Sequence, residues 1–354
     1  MSAAATLEHD DEQARDPELV NRAVVAVDAA GGDHGTEVTL GACAEALASD
    51  SLLYLQVVGD QDTLDPWHQA LPEADAERVA VVVAAETVAM DESVGDALRR
   101  KTRSTMGRAL ELVFEGSADA CVSAGNTGAL MALARSILKT LPGVERPAIC
   151  ASLPSRRGLT TVLDLGANAS VSADHLYQFA HMGTAVSRAT ADQETPRVGL
   201  LNIGTESIKG NDTVRRAHQL LSDSALEYCG FAEGHDIFLG ELDVVVCDGF
   251  TGNVALKCSE GISQLLMEEL RTLGRGGVAG KAAATAARPA FAMMRKKFDP
   301  RHYNGASLLG LTGVVVKSHG AADVVGFGNA IATAAAEARA GLAERIGAEV
   351  VQLL

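Results

Sequence analysis

Aromatic side chains are scarce, at 4% of 354 residues with a single tryptophan. Such a chain cannot build its core from large rings. Its 47% hydrophobic content, carried mainly by Ala, Val and Leu, suits a sheet packed by small aliphatic groups. Basic residues are also in deficit: 30 Lys and Arg against 46 Asp and Glu give a formal charge of −16. That balance argues against a nucleic-acid partner, because phosphate backbones are bound by clustered cations, and it requires any acidic partner to meet a local basic patch. The six cysteines (Cys43, Cys121, Cys150, Cys229, Cys247 and Cys258) form no CxxC pair and no zinc spacing. Four lie in or beside apolar runs, where a thiol behaves as a small hydrophobe. No signal-peptide pattern and no run of eighteen apolar residues is present, so a cytoplasmic chain that does not span a membrane is expected. A GxSxG elbow, an HExxH pair and a DxDxDG loop are missing as well. Neither a metal nor any other cofactor is expected.

What is present is a set of short motifs, each following a short apolar run: SAGNTG (Ser123 to Gly128), DLGAN (Asp164 to Asn168), NIGTESIKG (Asn202 to Gly210), DGFTGN (Asp248 to Asn253) and KSHGAA (Lys317 to Ala322). Buried parallel strands ending in Gly/Asn turns read this way. Strands are expected at Ala23 to Ala29, Leu52 to Gly59, Arg78 to Ala85, Ala118 to Gly125, Thr160 to Gly166, Arg197 to Gly204, Asp243 to Gly249 and Thr312 to His319. Helical patterns such as Thr127 to Lys139 and His175 to Ala189 fill most intervals. The alternation predicts a three-layer αβα sandwich around a mostly parallel sheet. Residues 1–21 are acidic and aperiodic and read as a disordered tail, leaving 22–354 as one catalytic domain. From Asn253 onward, apolar positions recur at helical spacing up to a Gly/Ala-rich tip, followed by a second helix. Residues 254–300 are therefore expected to form a protruding helical pair.

Open α/β sheets bind ligands at the carboxyl ends of their strands, where glycine lets backbone N–H groups approach an anion. A small oxyanion, phosphate, is the expected ligand. Ser123, Asn126, Thr127 and Asn168 are candidate donors to it. Gly31, Gly32 and Asp33 lie in another strand-end loop, and Thr251 and Gly252 lie in DGFTGN. The competing reading of each turn is that it merely ends a strand. Lys209 is a candidate for charge stabilisation and Asn253 for an uncharged donor at a helix start; a solvated loop lysine and a simple N-cap are the alternatives. His34, Asp164, Asp248 and His319 are expected to orient these groups. The run RRKTR from Arg99 is either a solvated helix face or a docking patch through Arg99, Arg100 and Lys101, with Lys296 and Lys297 as a second contact.

Taken together, DAAGGDHG (Asp28 to Gly35), VSAGNTGALM, ERPA (Glu145 to Ala148), LDLGAN, NIGTESIKGN, CDGFTGNVALK, YNGA (Tyr303 to Ala306), LLGL (Leu308 to Leu311) and VKSHGAA resemble the PlsX family of phosphate acyltransferases, in that family's order. Ala30, Ala169 and Ser170 depart from its pattern, and the acidic leader is extra. The resemblance implies a Rossmann-like fold related to isocitrate and isopropylmalate dehydrogenases and to phosphotransacetylases. It also implies transfer of a long acyl chain from acyl carrier protein to inorganic phosphate, giving acyl phosphate for phospholipid synthesis. Lys209 and Asn253 are the positions it points to. Phosphate is then the nucleophile, so no acyl-enzyme is needed. A homodimer, weak peripheral contact with the inner face of the cell membrane and a downstream glycerol-3-phosphate acyltransferase are the partners expected. The alternatives are a short-chain phosphate acetyl- or butyryltransferase using coenzyme A, a nicotinamide-dependent decarboxylating dehydrogenase for which GFGNA (Gly326 to Ala330) is too short a fingerprint, and a non-catalytic scaffold for lipid enzymes.

Overall fold

The computed structural model describes residues 21–190, 193–272, 297 and 299–351, the side chains of 270–272 excepted. The first elements are β1 (Ala23–Asp28), α1 (Gly35–Ser49), β2 (Leu53–Gly59), α2 (Gln61–Ala70), α3 (Glu73–Ala76) and β3 (Val79–Val83). Then come α4 (Val94–Arg100), α5 (Thr105–Phe114), β4 (Ala120–Ser123) and α6 (Thr127–Ile137). A hairpin of β5 (Ala148–Ser155) and β6 (Gly158–Leu163) leads into α7 (Ala173–Thr190), β7 (Arg197–Leu201), α8 (Asp212–Ser222), β8 (Glu227–Ala232) and α9 (Asp236–Leu239). β9 (Val244–Val246) feeds the long α10 (Gly249–Thr272). The chain closes with a 3-10 turn at Pro300–Tyr303, β10 (Ala306–Leu309), β11 (Val314–Lys317), α11 (Val324–Arg339) and α12 (Leu342–Val351).

The eleven strands among the described residues form one sheet in the order β3-β2-β1-β4-β11-β10-β5-β6-β9-β7-β8. Both faces are covered, and each strand divides its side chains between them. Val25 and Val27 of β1 enter one core while Ala26 enters the other; Val244 and Val246 of β9 part from Val245 in the same way. This is why the strands read as unbroken apolar runs, with each fully buried Val or Leu contributing about 1.5 to 3 kcal/mol. The expected three-layer architecture is thus observed, and all eight expected strands occur within a few residues of their predicted bounds.

Three strands were not anticipated: β5, β8 and β10. β8 is an edge strand of mixed polarity. The other two matter more, because β10 runs antiparallel to both β11 and β5, and β5 runs antiparallel to β6. The sheet is therefore two parallel halves of opposite direction joined through an antiparallel centre. A row of motif loops along one edge, as the sequence suggested, is replaced by two groups. DAAGGDHG, SAGNTG and KSHGAA follow the adjacent parallel strands β1, β4 and β11. DLGAN, DGFTGN and NIGTESIKG follow β6, β9 and β7, again adjacent and parallel. Neighbouring strands twist by about 20 to 25°, so the six steps from β1 to β9 accumulate roughly 120 to 150°. A rotation of that size works against the reversal of direction between the two halves.

The helical arm is described only to Thr272; its tip and second helix, together with the tail at residues 1–20, lie outside the described residues. Among the described residues no helix is long and apolar enough to cross a membrane.

Candidate active site

In the group after β6, β9 and β7, Asp164 is fully buried and organises its loop from within. Its Oδ1 accepts from the N–H groups of Ile149 (3.1 Å), Gly166 (3.0 Å) and Ala167 (2.8 Å), and its Oδ2 accepts from the N–H (2.8 Å) and Nδ2 (2.9 Å) of Asn168. Burial pushes this carboxyl above the ordinary carboxylate value, and the N–H donors oppose that shift. Here the structure corrects the sequence reading. The amide nest of DLGAN is not open to phosphate, because the chain's own carboxylate fills it. The Asn168 amide is committed as well, its Nδ2 also donating to the Pro147 carbonyl at 2.8 Å.

DGFTGN is arranged by the same logic. Asp248 precedes α10 and accepts from the Thr251 N–H and hydroxyl, both at 2.8 Å, while Gly252 donates its N–H to the Asp248 carbonyl at 2.9 Å. Asp248 is therefore the cap of this helix. Asn253 sits more than one turn inside α10 rather than at its start, which removes the N-cap reading. A Cβ at Gly252 would overlap the Asp164 carbonyl oxygen, so only glycine lets α10 approach this close. The exposed Asn253 amide faces Gly166, about 3.5 Å from where a side chain there would begin. It makes no side-chain hydrogen bond among the described residues. Lys209 is exposed too; its Cγ packs 3.2 Å from the Cβ position of Gly204, and its ammonium has no acceptor among the described residues. Three adjacent strands thus deliver Lys209 and Asn253 to one edge with their donors unspent.

The group after β1, β4 and β11 differs. Register aligns Val27 with Val122 and Ser123 with Lys317, so Asp28, Ser123 and Lys317 stand side by side on one face. The buried Ser123 hydroxyl donates to Asp28 Oδ2 at 2.6 Å and accepts from the Gly125 N–H at 3.0 Å. Burial pushes the Asp28 carboxyl up, against hydrogen bonds from Ser123, Thr105 and Ala30. Asn126 caps α6 through the Ala129 N–H (3.0 Å) and ties down residues 90–92 through the carbonyls of Met90 and Glu92. Ser123 and Asn126 therefore spend their side chains on the loop itself. Thr127 remains exposed at the first turn of α6. Among the described residues the N–H groups of Gly31 and Gly32 meet no acceptor, whereas that of Asp33 donates to Gly320 at 2.8 Å. His34 precedes α1 without capping it, and the His319 ring accepts from the Ala321 N–H at 3.1 Å.

Two residues escaped the sequence reading. Lys317 is buried, and its ammonium donates to the carbonyls of Ala124 (3.1 Å) and Ser318. Burial pulls it down to about 8; Asp33 and Asp28 oppose this and Lys257 adds to it. Lys257 lies on α10, so that repulsion sets this helix near the Lys317 loop. Asn304 fixes KSHGAA by donating to the Ser318 hydroxyl (2.8 Å) and accepting from the His319 N–H (2.9 Å). A lysine closing the apolar run VVVK was the available signal for Lys317, since a cation in a buried strand needs a purpose.

Arg99, Arg100 and Lys101 are found at the C-terminus of α4, which packs on α6 and so lies beside SAGNTG. Arg99 pairs with Asp96 at 3.1 Å in the open. The Lys297 carbonyl accepts from the Tyr303 hydroxyl at 2.8 Å, and Lys296 lies outside the described residues. A cavity of about 600 Å³ between α7, α11 and the β5–β6 hairpin borders neither Lys209 nor Asn253.

Residues 23–345 match the family model described as "Fatty acid synthesis protein". The chain belongs to that family. It is 49% identical over 337 residues to a phosphate acyltransferase of Halorhodospira halophila, covering 95% of this chain and 98% of the relative. It is also 49% identical over 339 residues to one of Alkalilimnicola ehrlichii, with 95% and 98% covered. The resemblance read from the motifs is borne out. Among solved structures, the EutD phosphotransacetylase of Staphylococcus aureus shares the fold, with a TM-score of 0.59 and 16% identity over 91% of this chain and 98% of that one.

Proposed function

We propose that this protein is a phosphate acyltransferase that moves a long acyl chain from acyl carrier protein to inorganic phosphate. The observation that carries the reading is the placement of Lys209 and Asn253, uncommitted, at the carboxyl ends of β7 and β9, beside Asp164, Asn168 and Asp248, whose side chains are spent on holding their turns. A phosphate oxygen attacks the thioester carbonyl carbon, the C–S bond breaks, and the thiolate leaves with the carrier protein and takes up a proton. Lys209 and Asn253 donate to the carbonyl oxygen as its charge grows, a role for which preorganised donors are effective. No protein nucleophile is called for. The buried thiols of Cys43, Cys121, Cys150 and Cys247 are pushed upward by burial and stay protonated.

The acidic carrier protein docks on Arg99 to Lys101 beside SAGNTG. Charge reversal there raises the KM for acyl carrier protein more than that for phosphate; an unchanged carrier-protein KM at low salt removes the patch. A second copy of the chain covers Phe250, Val254, Ile262 and Leu265, which form an exposed apolar stripe along α10. The deciding experiment supplies purified protein with palmitoyl acyl carrier protein and phosphate, follows free carrier protein, and traps acyl phosphate with hydroxylamine. Phosphate-dependent product supports the reading. Turnover only with short acyl coenzyme A transfers it to the short-chain reaction, and silence with both donors overturns it.

A further inference from the structure

Lys317 is unused by the chemistry just described, yet its position is costly. A buried ammonium loses its hydration, and a lysine in such a place is usually answered by a carboxylate within contact. None makes an ion pair with Lys317 among the described residues. Two of its three N–H bonds go to the Ala124 and Ser318 carbonyls, which leaves one donor. Its nearest charges are mixed: Asp33 and Asp28 favour the cation, and Lys257 disfavours it. Lys257 is itself paired with Glu260 at 2.7 Å, so the charge left without a contacting counter-ion among the described residues is that of Lys317, which an anion at its free N–H would answer.

The surroundings supply the rest of an anion site. The Gly31 and Gly32 N–H groups are unpaired among the described residues, and a Cβ on Gly31 would lie 2.7 Å from the Gly125 nitrogen, so this loop rests directly on the turn that Lys317 clips. Thr127 and Gly128 open α6 at the same turn, with the N–H groups of a first helical turn. DLGAN, by contrast, has no amide left to give.

We propose that Lys317 is a phosphate-binding residue, holding the attacking dianion against the Gly31–Gly32 amides and the start of α6 while Lys209 and Asn253 address the thioester carbonyl from the other half of the sheet. The proposal rests on the phosphate acyltransferase reading for the identity of the reaction, and its test does not depend on the acyl donor.

The full chain is compared with Lys317→Met, Lys317→Arg and Lys257→Met. Thermal unfolding is followed in phosphate against chloride at equal ionic strength, and steady-state kinetics give KM for phosphate and for the acyl donor separately. Phosphate is expected to protect the wild type and not Lys317→Met. The phosphate KM of Lys317→Met rises by about 10- to 100-fold, the scale of one charge-assisted hydrogen bond, with the donor KM little changed. In the wild type the phosphate KM climbs as pH passes about 8, where Lys317 loses its proton although phosphate is already a dianion. Lys317→Arg carries its charge beyond that range and flattens the climb. Lys257→Met, which removes the repelling neighbour and leaves its partner Glu260 as an added negative charge, moves it to higher pH; the Asp28 and Asp33 carboxylates remain in all four proteins. Equal protection of wild type and Lys317→Met by phosphate, or an unchanged phosphate KM, overturns the proposal. If Lys317→Met does not fold, the Arg and Lys257 variants decide through the position of the climb. Protection of the wild type without turnover would separate failure of the enzymatic reading from failure of the site.

Discussion

Asp164→Asn is the substitution that tests the architecture of the site most severely. The carboxylate takes five N–H donors and offers no position for a sixth group that itself donates. An amide has one oxygen and one NH2. With the oxygen kept toward Ile149, Gly166 and Ala167, the NH2 confronts the N–H and Nδ2 of Asn168, donor against donor. At least two charge-assisted bonds are lost, each worth about 1.5 to 3 kcal/mol. The expected loss is therefore about 3 to 6 kcal/mol, reaching the exceptional range for single substitutions. The fault should spread to catalysis, because the Asn168 carbonyl accepts from the Gly249 N–H at 2.9 Å and Gly249 opens the helix that carries Asn253. Displacement of about 1 Å at a reacting geometry costs on the order of a hundredfold in rate. Urea unfolding measures the first quantity. Turnover, measured at a temperature where circular dichroism shows the variant folded, measures the second. A variant with wild-type midpoint and wild-type kcat would refute the view that this buried carboxylate holds the loop.

Three further outcomes are expected. Gly252→Ala forces its methyl into the Asp164 carbonyl and within 2.9 Å of Cys247 Sγ, so it should destabilise by about 3 kcal/mol and reduce turnover, read from the same two assays. Lys209→Ala and Asn253→Ala touch no side-chain hydrogen bond among the described residues; each should leave the unfolding midpoint in place while lowering kcat by roughly a hundredfold or more, and near-normal kcat would remove that residue from the mechanism. Glu337 is wholly buried and bonded to the Ser307 hydroxyl at 2.5 Å, and burial raises its carboxyl from 4.5 to about 7. Between those values the folded state binds the proton and the unfolded state does not, so stability falls as pH rises through the window, by about 3 kcal/mol in all. Glu337→Gln should therefore gain stability over wild type at pH 8.5 and lose that advantage at pH 5, as denaturant titrations at the two pH values would show.

The parts of the fold that were legible in the sequence are those where one constraint acts alone. β1, β4, β9 and β11 are buried on both faces, and burial on both faces leaves an unbroken apolar run that nothing else in a chain of this composition imitates. β10, at four residues, and β5, interrupted by Ser152 and Pro154, carry weaker signals, yet their antiparallel pairing decides how the loop groups are arranged. Pairing direction is a long-range property and leaves no trace in a four-residue window. The motifs were legible as a set, since each ends a strand in Gly, Asn or Ser. The division of labour within them was not. Asn126, Asn168 and Asn253 look alike in sequence; two of them are consumed in holding turns and the third is left exposed. Whether an amide binds the protein or its substrate depends on which carbonyls and carboxylates the fold brings within 3 Å, and Pro147 and Met90 come from elsewhere in the chain.

The reversal at the centre of the sheet has a chemical consequence. The reaction joins a dianion to a carbonyl that becomes negative as it is attacked, so a single cluster of cations serving both would hold the reactants in a shared well and stabilise the ground state with the transition state. Binding both states equally brings no gain in the chemical step. Two parallel halves, each with its own strand ends, allow the cations to be separated: Lys317 is buried among the ends of β1, β4 and β11, and Lys209 is exposed beyond β7. The antiparallel pair β10 and β5 then sets their spacing through rigid backbone rather than through a loop. On this argument a substitution that loosens the centre, such as one at Ser307 or Cys150 where β10 meets β5, should lower kcat more than it raises either KM. A substitution at Lys317 or Lys209 should act on one reactant or one step alone.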